Sequence, residues 1–209
     1  MRSALDVYGR ALAEGRGLCV LRPAGTLAAV PVHVWTSEVA PGDAGLLERC
    51  HGPVLDVGCG PGRLAAGLLA RGVPALGVDI APSAVALARA RGATALIRSV
   101  YERLPGEGRW TTVLLADGNV GIGGDPHRLL SRIRELLAPT GTLLVEAGSP
   151  GSPSGLVRLR LQDDVGMSEE FLWSCLAIED VASVAIEAGL EPAETWEEAG
   201  RWFAAVLRP

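Results

Sequence analysis

Residues 54–64 have the sequence VLDVGCGPGRL, and residues 77–80 have the sequence GVDI. The apolar start of the first stretch predicts a strand, and the glycines after it predict a turn that opens a helix. Glycine has no Cβ, so this turn lets a ligand approach the backbone N–H groups at the start of the helix. The second stretch predicts a strand that ends in the carboxylate of Asp79. Together the two stretches predict a place for an adenosine-containing ligand.

The spacing of the glycines separates two kinds of ligand. Gly58, Gly60 and Gly62 form the pattern GxGxG, and Arg63 stands where the dinucleotide fingerprint GxGxxG has its third glycine. This spacing disfavours a pyrophosphate site. Asp79 follows the loop by about twenty residues, where a carboxylate can accept both hydroxyl groups of a ribose. The alternative role for Asp79 is a cap for the helix that follows it.

These stretches resemble motif I and the acidic strand end of the class I S-adenosylmethionine-dependent methyltransferases. The resemblance is specific over residues 54–146, where residues 116–126 look like those of small bacterial members, and general over residues 156–209. It implies S-adenosylmethionine (SAM) as the cofactor, with Asp56 facing its methionine amino end. The cofactor-binding residues that the resemblance implies are Asp56, Gly58, Cys59, Gly60, Asp79, Ile80, Ser99, Val100 and Asp117.

One position departs from the family pattern. Many relatives carry an acidic residue against the adenine amino group, whereas this chain has Ser99 and Val100 at the corresponding strand end. A backbone N–H group or the Ser99 hydroxyl could take over that contact. Tyr101 either stacks on the adenine or packs in the core. Cys59, inside the glycine loop, is interpreted as a small residue packed beneath the ligand.

The resemblance also implies the architecture. We expect an α/β fold of the Rossmann-like, doubly wound type, with a mostly parallel seven-stranded sheet and one antiparallel strand near the carboxyl end. Residues 1–209 are predicted to form a single methyltransferase domain. Within it, residues 1–50 are predicted to supply lid helices and the acceptor side, and residues 51–209 to supply the Rossmann-like core.

Local patterns predict several elements outside the glycine turn. Residues 3–16 predict a helix capped by Gly17, and residues 19–35 predict a loop with short extended pieces. Residues 157–162 alternate apolar and polar side chains, which predicts an added, half-exposed strand. A further helix is predicted after Asp125, with its arginines on the solvated side: Arg128, Arg132 and Arg134.

Composition agrees with one α/β domain that has a single core. The chain has 209 residues, of which 48% are hydrophobic. No apolar run reaches the length of a membrane span, and the first residues lack a secretory apolar region, so the cytoplasm is expected. The four cysteines form no CxxC pair, which argues against a zinc site and a disulfide framework. We expect reduced thiols and no metal.

The chain contains no lysine. This excludes a Schiff base with pyridoxal phosphate, a Walker A lysine and the lysine of a short-chain dehydrogenase. A net charge of −5 provides no long-range attraction to nucleic acid. We therefore expect a small-molecule acceptor and neither a nucleic acid nor a membrane as partner; the oligomeric state is left open.

The implied reaction is an in-line displacement in which an acceptor attacks the methyl carbon of a sulfonium ion. Alignment of the two reactants can supply about 7–11 kcal/mol of catalysis, so a base is not strictly needed. The candidate catalytic residues are His33, Asp117 and Asn119. His33 lies between two valines, where a structural role is the alternative, and Asp117 could instead cap a turn.

Two aromatic residues are candidates for the substrate side. Tyr8 and Trp35 either close over the cofactor and line an acceptor pocket or belong to the core. Besides methyl transfer, two functions are kept open. The first is a SAM-binding protein that does not methylate, either as a regulator or by cyclising or cleaving the sulfonium. The second, disfavoured by Arg63 and by the missing lysine, is a nicotinamide-dependent oxidoreductase.

Overall fold

The computed structural model describes residues 2–22 and 25–209. Their helices and strands alternate along most of the chain. The strands are β1 (Leu18–Leu21), β2 (Leu27–Val30), β3 (Val54–Val57), β4 (Ala75–Asp79), β5 (Ala95–Ile97), β6 (Trp110–Leu115), β7 (Leu137–Ala147), β8 (Gly155–Gln162), β9 (Phe171–Cys175), β10 (Glu191–Glu198) and β11 (Arg201–Leu207). The helices are α1 (Ala4–Glu14), α2 (Val32–Trp35), α3 (Asp43–Glu48), α4 (Arg63–Ala70), α5 (Pro82–Ala90), α6 (Pro126–Leu136) and α7 (Val181–Glu187), with short 3-10 helices at Asn119–Gly124 and Ile178–Asp180.

Seven strands form the main sheet, in the order β10-β11-β7-β6-β3-β4-β5. The strands from β3 to β7 pair in parallel, whereas β11 is antiparallel to both of its neighbours, β7 and β10. This confirms the predicted fold, a mostly parallel sheet with one antiparallel strand near the carboxyl end. The strand order reverses between β3 and β6, so a crevice forms beyond the carboxyl ends of these strands.

The main sheet is covered on both faces, as parallel sheets require. Val54 and Leu114 pack on one face with side chains of α3 and α4. Leu55 and Val113, each one residue away along its strand, pack on the opposite face with α6 and α7. All four residues of β3 are buried. The burial of the whole strand, including the one charged residue Asp56, follows from its position at the centre of a three-layer core.

The helix after Asp125 is only partly as predicted. The Asp125 carboxylate accepts a hydrogen bond from the Arg128 N–H at 2.9 Å, and Pro126 occupies the first turn, as expected for the start of a helix. Arg128 and Arg134 are exposed, as predicted for the solvated side, whereas Arg132 is half-buried and departs from the prediction. Arg132 has a side chain that is only 16% exposed, and its Nε donates to the Val100 carbonyl at 3.0 Å. Arg134 donates through Nε to the Gly189 carbonyl at 2.9 Å.

A second sheet has four antiparallel strands in the order β2-β1-β8-β9. Residues 19–35 were predicted to be a loop with short extended pieces. Those pieces are the strands β1 and β2, and residues 32–35 form the helix α2, while the predicted break at Pro23 lies outside the described residues. β1 and β2 are each four residues long, so their sequence alone gives only a weak indication of a strand. β2 pairs only with β1, and β1 pairs in turn with β8, which lies far away in sequence.

The predicted strand at residues 157–162 is present as part of β8, and it belongs to this second sheet. The division into residues 1–50 and 51–209 therefore does not follow the strand pairing, because β8 and β9 join the amino-terminal strands. We use the term cap for α1, α2 and the sheet β2-β1-β8-β9.

Helix α1 connects the cap to the core. It starts with a capping box between Ser3 and Asp6 and ends at Gly15, whose φ is 62°, two residues before the predicted Gly17. Val7 and Ala11 of α1 pack in one cluster with side chains of α5 and β8. The predicted lid helix is thus held between the core and the second sheet. In the described part of the chain, no helix has the length and apolar character needed to cross a bilayer.

The cap also contacts the core where β9 passes the 3-10 helix Asn119–Gly124. A Cβ on Gly121 would lie 2.2 Å from the Ser174 carbonyl oxygen and 2.2 Å from the indole nitrogen of Trp173. Glycine is therefore required here by the close approach of the cap.

Replacing Gly121 should loosen this contact. We expect Gly121→Ala to lower the free energy of unfolding by about 1–3 kcal/mol, because the added methyl group must displace β9 or the 3-10 helix. Thermal and denaturant unfolding would measure the change. Gly17→Ala is the matched control, since a Cβ there meets nothing within 4 Å. Equal stability of the two variants would contradict the described packing.

Candidate functional site

The glycine turn between β3 and α4 has the predicted backbone. Gly58, Gly60 and Gly62 have φ angles of 71°, 53° and 82°, all in the left-handed region. The N–H groups of Gly58 and Cys59 donate to the Val78 carbonyl at 2.8 and 3.1 Å. We call residues 56–63 the elbow. Its backbone is anchored to β4 and directed at the crevice beyond the strands.

Asp79 is bonded to the elbow. Its Oδ2 accepts a hydrogen bond from the Gly60 N–H at 2.9 Å, and its Oδ1 accepts one from the Ala81 N–H at 2.8 Å. The carboxylate therefore joins the elbow to Ala81, the N-cap residue of α5, without itself capping that helix, and it keeps further lone pairs for a ligand. Burial raises the pKa of Asp79, although its backbone hydrogen bonds act in the opposite direction.

Asp56 is a buried carboxyl group without a full set of partners. Its exposed fraction is 2%, and within the described residues Oδ2 has no hydrogen-bond partner. The pKa of Asp56 is raised to about 7, mainly by burial and also by the charge of Asp117, while Arg63 opposes the shift. A buried polar atom left unpaired is costly. This one suits a cationic group of a ligand in the crevice.

Tyr8 of the cap lies over the elbow. Its hydroxyl oxygen is 3.3 Å from the position that a Cβ on Gly60 would take. Its ring packs edge to face against that of Trp35, with 6.0 Å between the ring centroids. Burial raises the pKa of Tyr8, and the charge of Asp79 adds to this shift. Cys59 packs beneath the elbow, where its Sγ would lie 2.6 Å from a Cβ on Gly77. The interpretation of Cys59 as a packing residue agrees with this contact.

The segment after β6 brings two predicted catalytic residues to the elbow. Asp117 has a φ of 52°, and both of its carboxylate oxygens accept hydrogen bonds from Nη2 of Arg63, at 2.8 and 2.6 Å. Nδ2 of Asn119 donates to the carbonyls of Val57 and Gly58 at 3.0 and 2.9 Å. Both side chains thus already bind protein atoms.

The end of β5 is shaped by a local turn. The Ser99 N–H donates to Oε2 of Glu102 at 2.7 Å, and the Ser99 hydroxyl accepts from the Tyr101 N–H at 3.3 Å. The side chain of Val100 is buried in the core, so its contribution to a ligand would come from its backbone. Ile80, by contrast, is 52% exposed at the end of β4 and presents an apolar surface.

His33 lies apart from these contacts. The structure places it on α2, where its side chain is exposed. Within residues 2–22 and 25–209, the imidazole makes no hydrogen bond to another residue. Trp35, two residues further along α2, is packed against Tyr8. Its catalytic role stays a prediction.

A network of five charged side chains beside the elbow was not predicted from the sequence. Asp43, fully buried at the start of α3, binds both Arg63 and Arg201, and Arg201 also binds Glu146 and Asp117. Burial would raise the pKa of Asp43, but hydrogen bonds from Arg63 and Arg201 outweigh it and hold that pKa below its usual value. Only the position of Arg63 next to the glycines could have drawn attention to it, because Asp43 and Arg201 are 158 residues apart.

The sheet order and the elbow facing an acidic strand end define a Rossmann-like protein with a nucleoside crevice. Residues 54–141 match the family model described as a methyltransferase domain. The match covers less than half of the chain; together with the fold, it makes the chain similar to the class I SAM-dependent methyltransferases. No curated protein is significantly similar to it in sequence.

Solved structures support the fold. A SAM-dependent methyltransferase from Bacteroides fragilis, in complex with S-adenosyl-L-homocysteine, is 21% identical with a TM-score of 0.82, covering 99% of this chain and 96% of that one. The 1,6-didemethyltoxoflavin-N1-methyltransferase of Burkholderia thailandensis has 22% identity and a TM-score of 0.57, covering 74% and 70%. The sugar N-methyltransferase KedS8 of Streptoalloteichus sp. has 18% identity and a TM-score of 0.57, covering 74% and 79%.

The raised pKa of Asp56 has a consequence for stability. Between the ordinary carboxyl pKa near 4 and the folded value of about 7, the folded state holds a proton that the unfolded state has lost, so stability falls as the pH rises through this window. We expect Asp56→Asn to raise the free energy of unfolding at pH 8 by up to about 4 kcal/mol.

The same substitution should change stability much less at pH 4, because the native carboxyl is then already neutral. Denaturant unfolding at the two pH values measures the difference. Asp125→Asn is the control, since an amide oxygen there can still cap α6. An equal effect of Asp56→Asn at both pH values would contradict the assigned shift.

Proposed function

We propose that the protein catalyses methyl transfer from SAM to a small-molecule acceptor by in-line displacement. The observation that carries the proposal is the hydrogen bond that joins Asp79 to Gly60 at 2.9 Å, together with the buried carboxyl of Asp56, whose Oδ2 has no partner among the described residues. Two carboxyl groups then face a turn of left-handed glycines at the end of the sheet. This donor set fits a ligand with a ribose diol at one end and a cationic amine at the other.

Each residue of the crevice has a defined task in this proposal. Asp79 accepts the ribose hydroxyl groups, Asp56 faces the amino group, and the elbow glycines allow close approach of the backbone. Ile80 packs against the adenine, and the backbone at Ser99 and Val100 receives its edge. When bound, SAM supplies a methyl group activated by a positively charged sulfur.

The acceptor side is formed by the cap. Tyr8 and Trp35, in edge-to-face contact, are proposed to line it. A small acceptor is supported by the toxoflavin-type and sugar acceptors named for two of the structural neighbours, and the net charge of −5 disfavours a polynucleotide. Free cysteines throughout the chain support a reducing compartment, and we propose the cytoplasm.

Catalysis is proposed to rest mainly on alignment. The elbow, Asn119 and the cap hold the two reactants in register and exclude water, which can account for about 7–11 kcal/mol. His33, Asp117 and Asn119 remain the candidate catalytic residues. Product analysis separates this function from the non-methylating alternative, because methyl transfer yields S-adenosylhomocysteine in step with a methylated acceptor, whereas cyclisation releases methylthioadenosine.

Removal of the Asp79 carboxylate should weaken cofactor binding. We expect Asp79→Ala to raise the Kd for SAM about ten-fold or more, since a hydrogen bond to a charged group is worth about 1.5–3 kcal/mol. Isothermal titration calorimetry measures the affinity, and circular dichroism verifies the fold. Asp164→Ala, which removes an exposed partner of Arg16, is the control. Unchanged affinity in a folded Asp79→Ala variant would rule out the ribose role.

His33 has a separate test. If the imidazole removes a proton from the acceptor, His33→Ala should lower kcat about a hundred-fold or more and leave the affinity for SAM unchanged. A pH–rate profile of both enzymes, measured with an acceptor found by screening metabolites with labelled SAM, gives the answer. Identical profiles would exclude His33 from the proton transfer.

A further inference from the structure

We infer that Arg63 and Arg201 are positioning residues: they fix the segment after β6 and, through Asn119, the conformation of the elbow. The same contacts assign Asp117 to positioning. The kinetic part of this inference rests on the proposed function, whereas its structural part concerns the ligand-free chain. Four sets of contacts support the inference.

The first contact anchors the network in α3. The Asp43 carboxylate is fully buried and accepts from the Ala40 N–H at 2.7 Å, from Nη1 of Arg201 at 2.7 Å and from Nη1 of Arg63. The Arg63 side chain is only 3% exposed. A buried carboxylate with three donors has a single favourable arrangement, so both guanidinium groups are held rigidly.

The second contact holds Asp117 in an unusual backbone conformation. Its φ of 52° is costly for a residue with a side chain. Nη2 of Arg63 binds both of its carboxylate oxygens, Nη2 of Arg201 approaches Oδ1 at 3.3 Å, and its own N–H donates to Oε2 of Glu146 at 2.6 Å. Arg201 binds Glu146 as well, through Nε at 2.9 Å and Nη2 at 2.7 Å.

The third contact transmits this conformation to the elbow. Gly118, with a φ of 79°, directly follows Asp117 and turns the chain into Asn119. The Asn119 amide then donates to the carbonyls of Val57 and Gly58. The fit is tight, because a Cβ on Gly58 would lie 2.6 Å from the amide nitrogen. A shift of the segment after β6 therefore moves the elbow.

The fourth contact links the carboxyl-terminal strand β11 to the loop before α3, again through Arg201. Arg201 begins β11, and its Nη1 also donates to the Pro41 carbonyl at 3.2 Å. It thus joins the loop before α3 to the ends of β6 and β7. Because both oxygens of Asp117 already accept arginine N–H groups, the carboxylate is better suited to hold the turn than to take a proton from an acceptor.

Hydrogen exchange in the absence of any ligand tests the structural part. We expect Arg201→Ala to speed amide exchange several-fold in residues 57–62 and 116–121. Arg49→Ala is the matched control. Arg49 directly follows α3, and its Nη2 binds Oε1 of Glu194 in β10 at 2.6 Å, so it also joins α3 to the hairpin of β10 and β11 but does not reach Asp117. Unchanged exchange at the elbow in Arg201→Ala, or equal changes in both variants, would overturn the inference.

Steady-state kinetics test the assignment of Asp117. We expect Asp117→Asn to raise the KM for SAM about ten-fold, with a smaller change in kcat and an unshifted pH profile. Asparagine tolerates the left-handed backbone but accepts from arginine through one oxygen instead of two, so the turn is weakened and not lost. A loss of about a hundred-fold in kcat together with the loss of one limb of the profile would show a general base and overturn the assignment.

Failure of the proposed function can be distinguished from failure of this inference. Failure of the wild-type protein to bind SAM would refute the proposed function but would leave the ligand-free exchange result valid. If Arg201→Ala does not fold, Arg201→Lys takes its place: it keeps the charge but not the planar fork, and we expect intermediate exchange at the elbow. Wild-type exchange in Arg201→Lys would then overturn the inference.

Discussion

The hydrogen bond from the Gly60 N–H to the Asp79 carboxylate is the constraint on which the site depends. It joins the turn after β3 to the end of β4 at 2.9 Å. The parallel pairing of β3 with β4 brings these residues together although they are 19 positions apart. It acts together with the bonds from the Gly58 and Cys59 N–H groups to the Val78 carbonyl, and from Asn119 to the elbow carbonyls, to hold the left-handed glycines at the crevice. Glycine loses more conformational freedom on ordering than any other residue.

The charge balance of the crevice follows from the same burial. Three carboxylates, those of Asp43, Asp117 and Glu146, share two guanidinium groups, and the buried Asp56 stands next to them. Negative charge in a dry site is costly unless it is paired. The protein therefore tolerates an excess that a cationic ligand can balance. This is the electrostatic reason why a sulfonium cofactor suits the crevice better than a dinucleotide.

The parts of the fold that could be predicted from sequence are those whose signal is local. The elbow and the strands beside it were predicted because apolar runs, glycines and one acid occur at fixed spacing over residues 54–80. The second sheet was not, because β1 and β2 are short and β1 pairs with β8, which is more than a hundred residues away. The same holds for Arg132, whose bonds to Val100 and Glu102 join elements that no periodicity connects.

The candidate site divides in the same way. Asp56 and Asp79 come from the motif itself, whereas the partners of Asp117 come from α4 and β11 and had no sequence signal. Tyr8 was predicted as a residue of the lid, and its hydroxyl does lie over Gly60. His33 is only two residues from Trp35 but is exposed on α2. Proximity along the chain is a poor guide on a helix of four residues, because neighbouring side chains point in different directions.

The second sheet is built from two separate parts of the chain, and this has a consequence for how the protein could acquire a new acceptor. Two of its strands come from the first 30 residues and two from residues 155–175, and β1 is hydrogen-bonded directly to β8. Grafting one of these segments from a relative would leave the central pair of strands mismatched. If the cap forms the acceptor side, as proposed, acceptor preference has to be redesigned in two distant stretches of the gene at once, while the elbow can be left untouched.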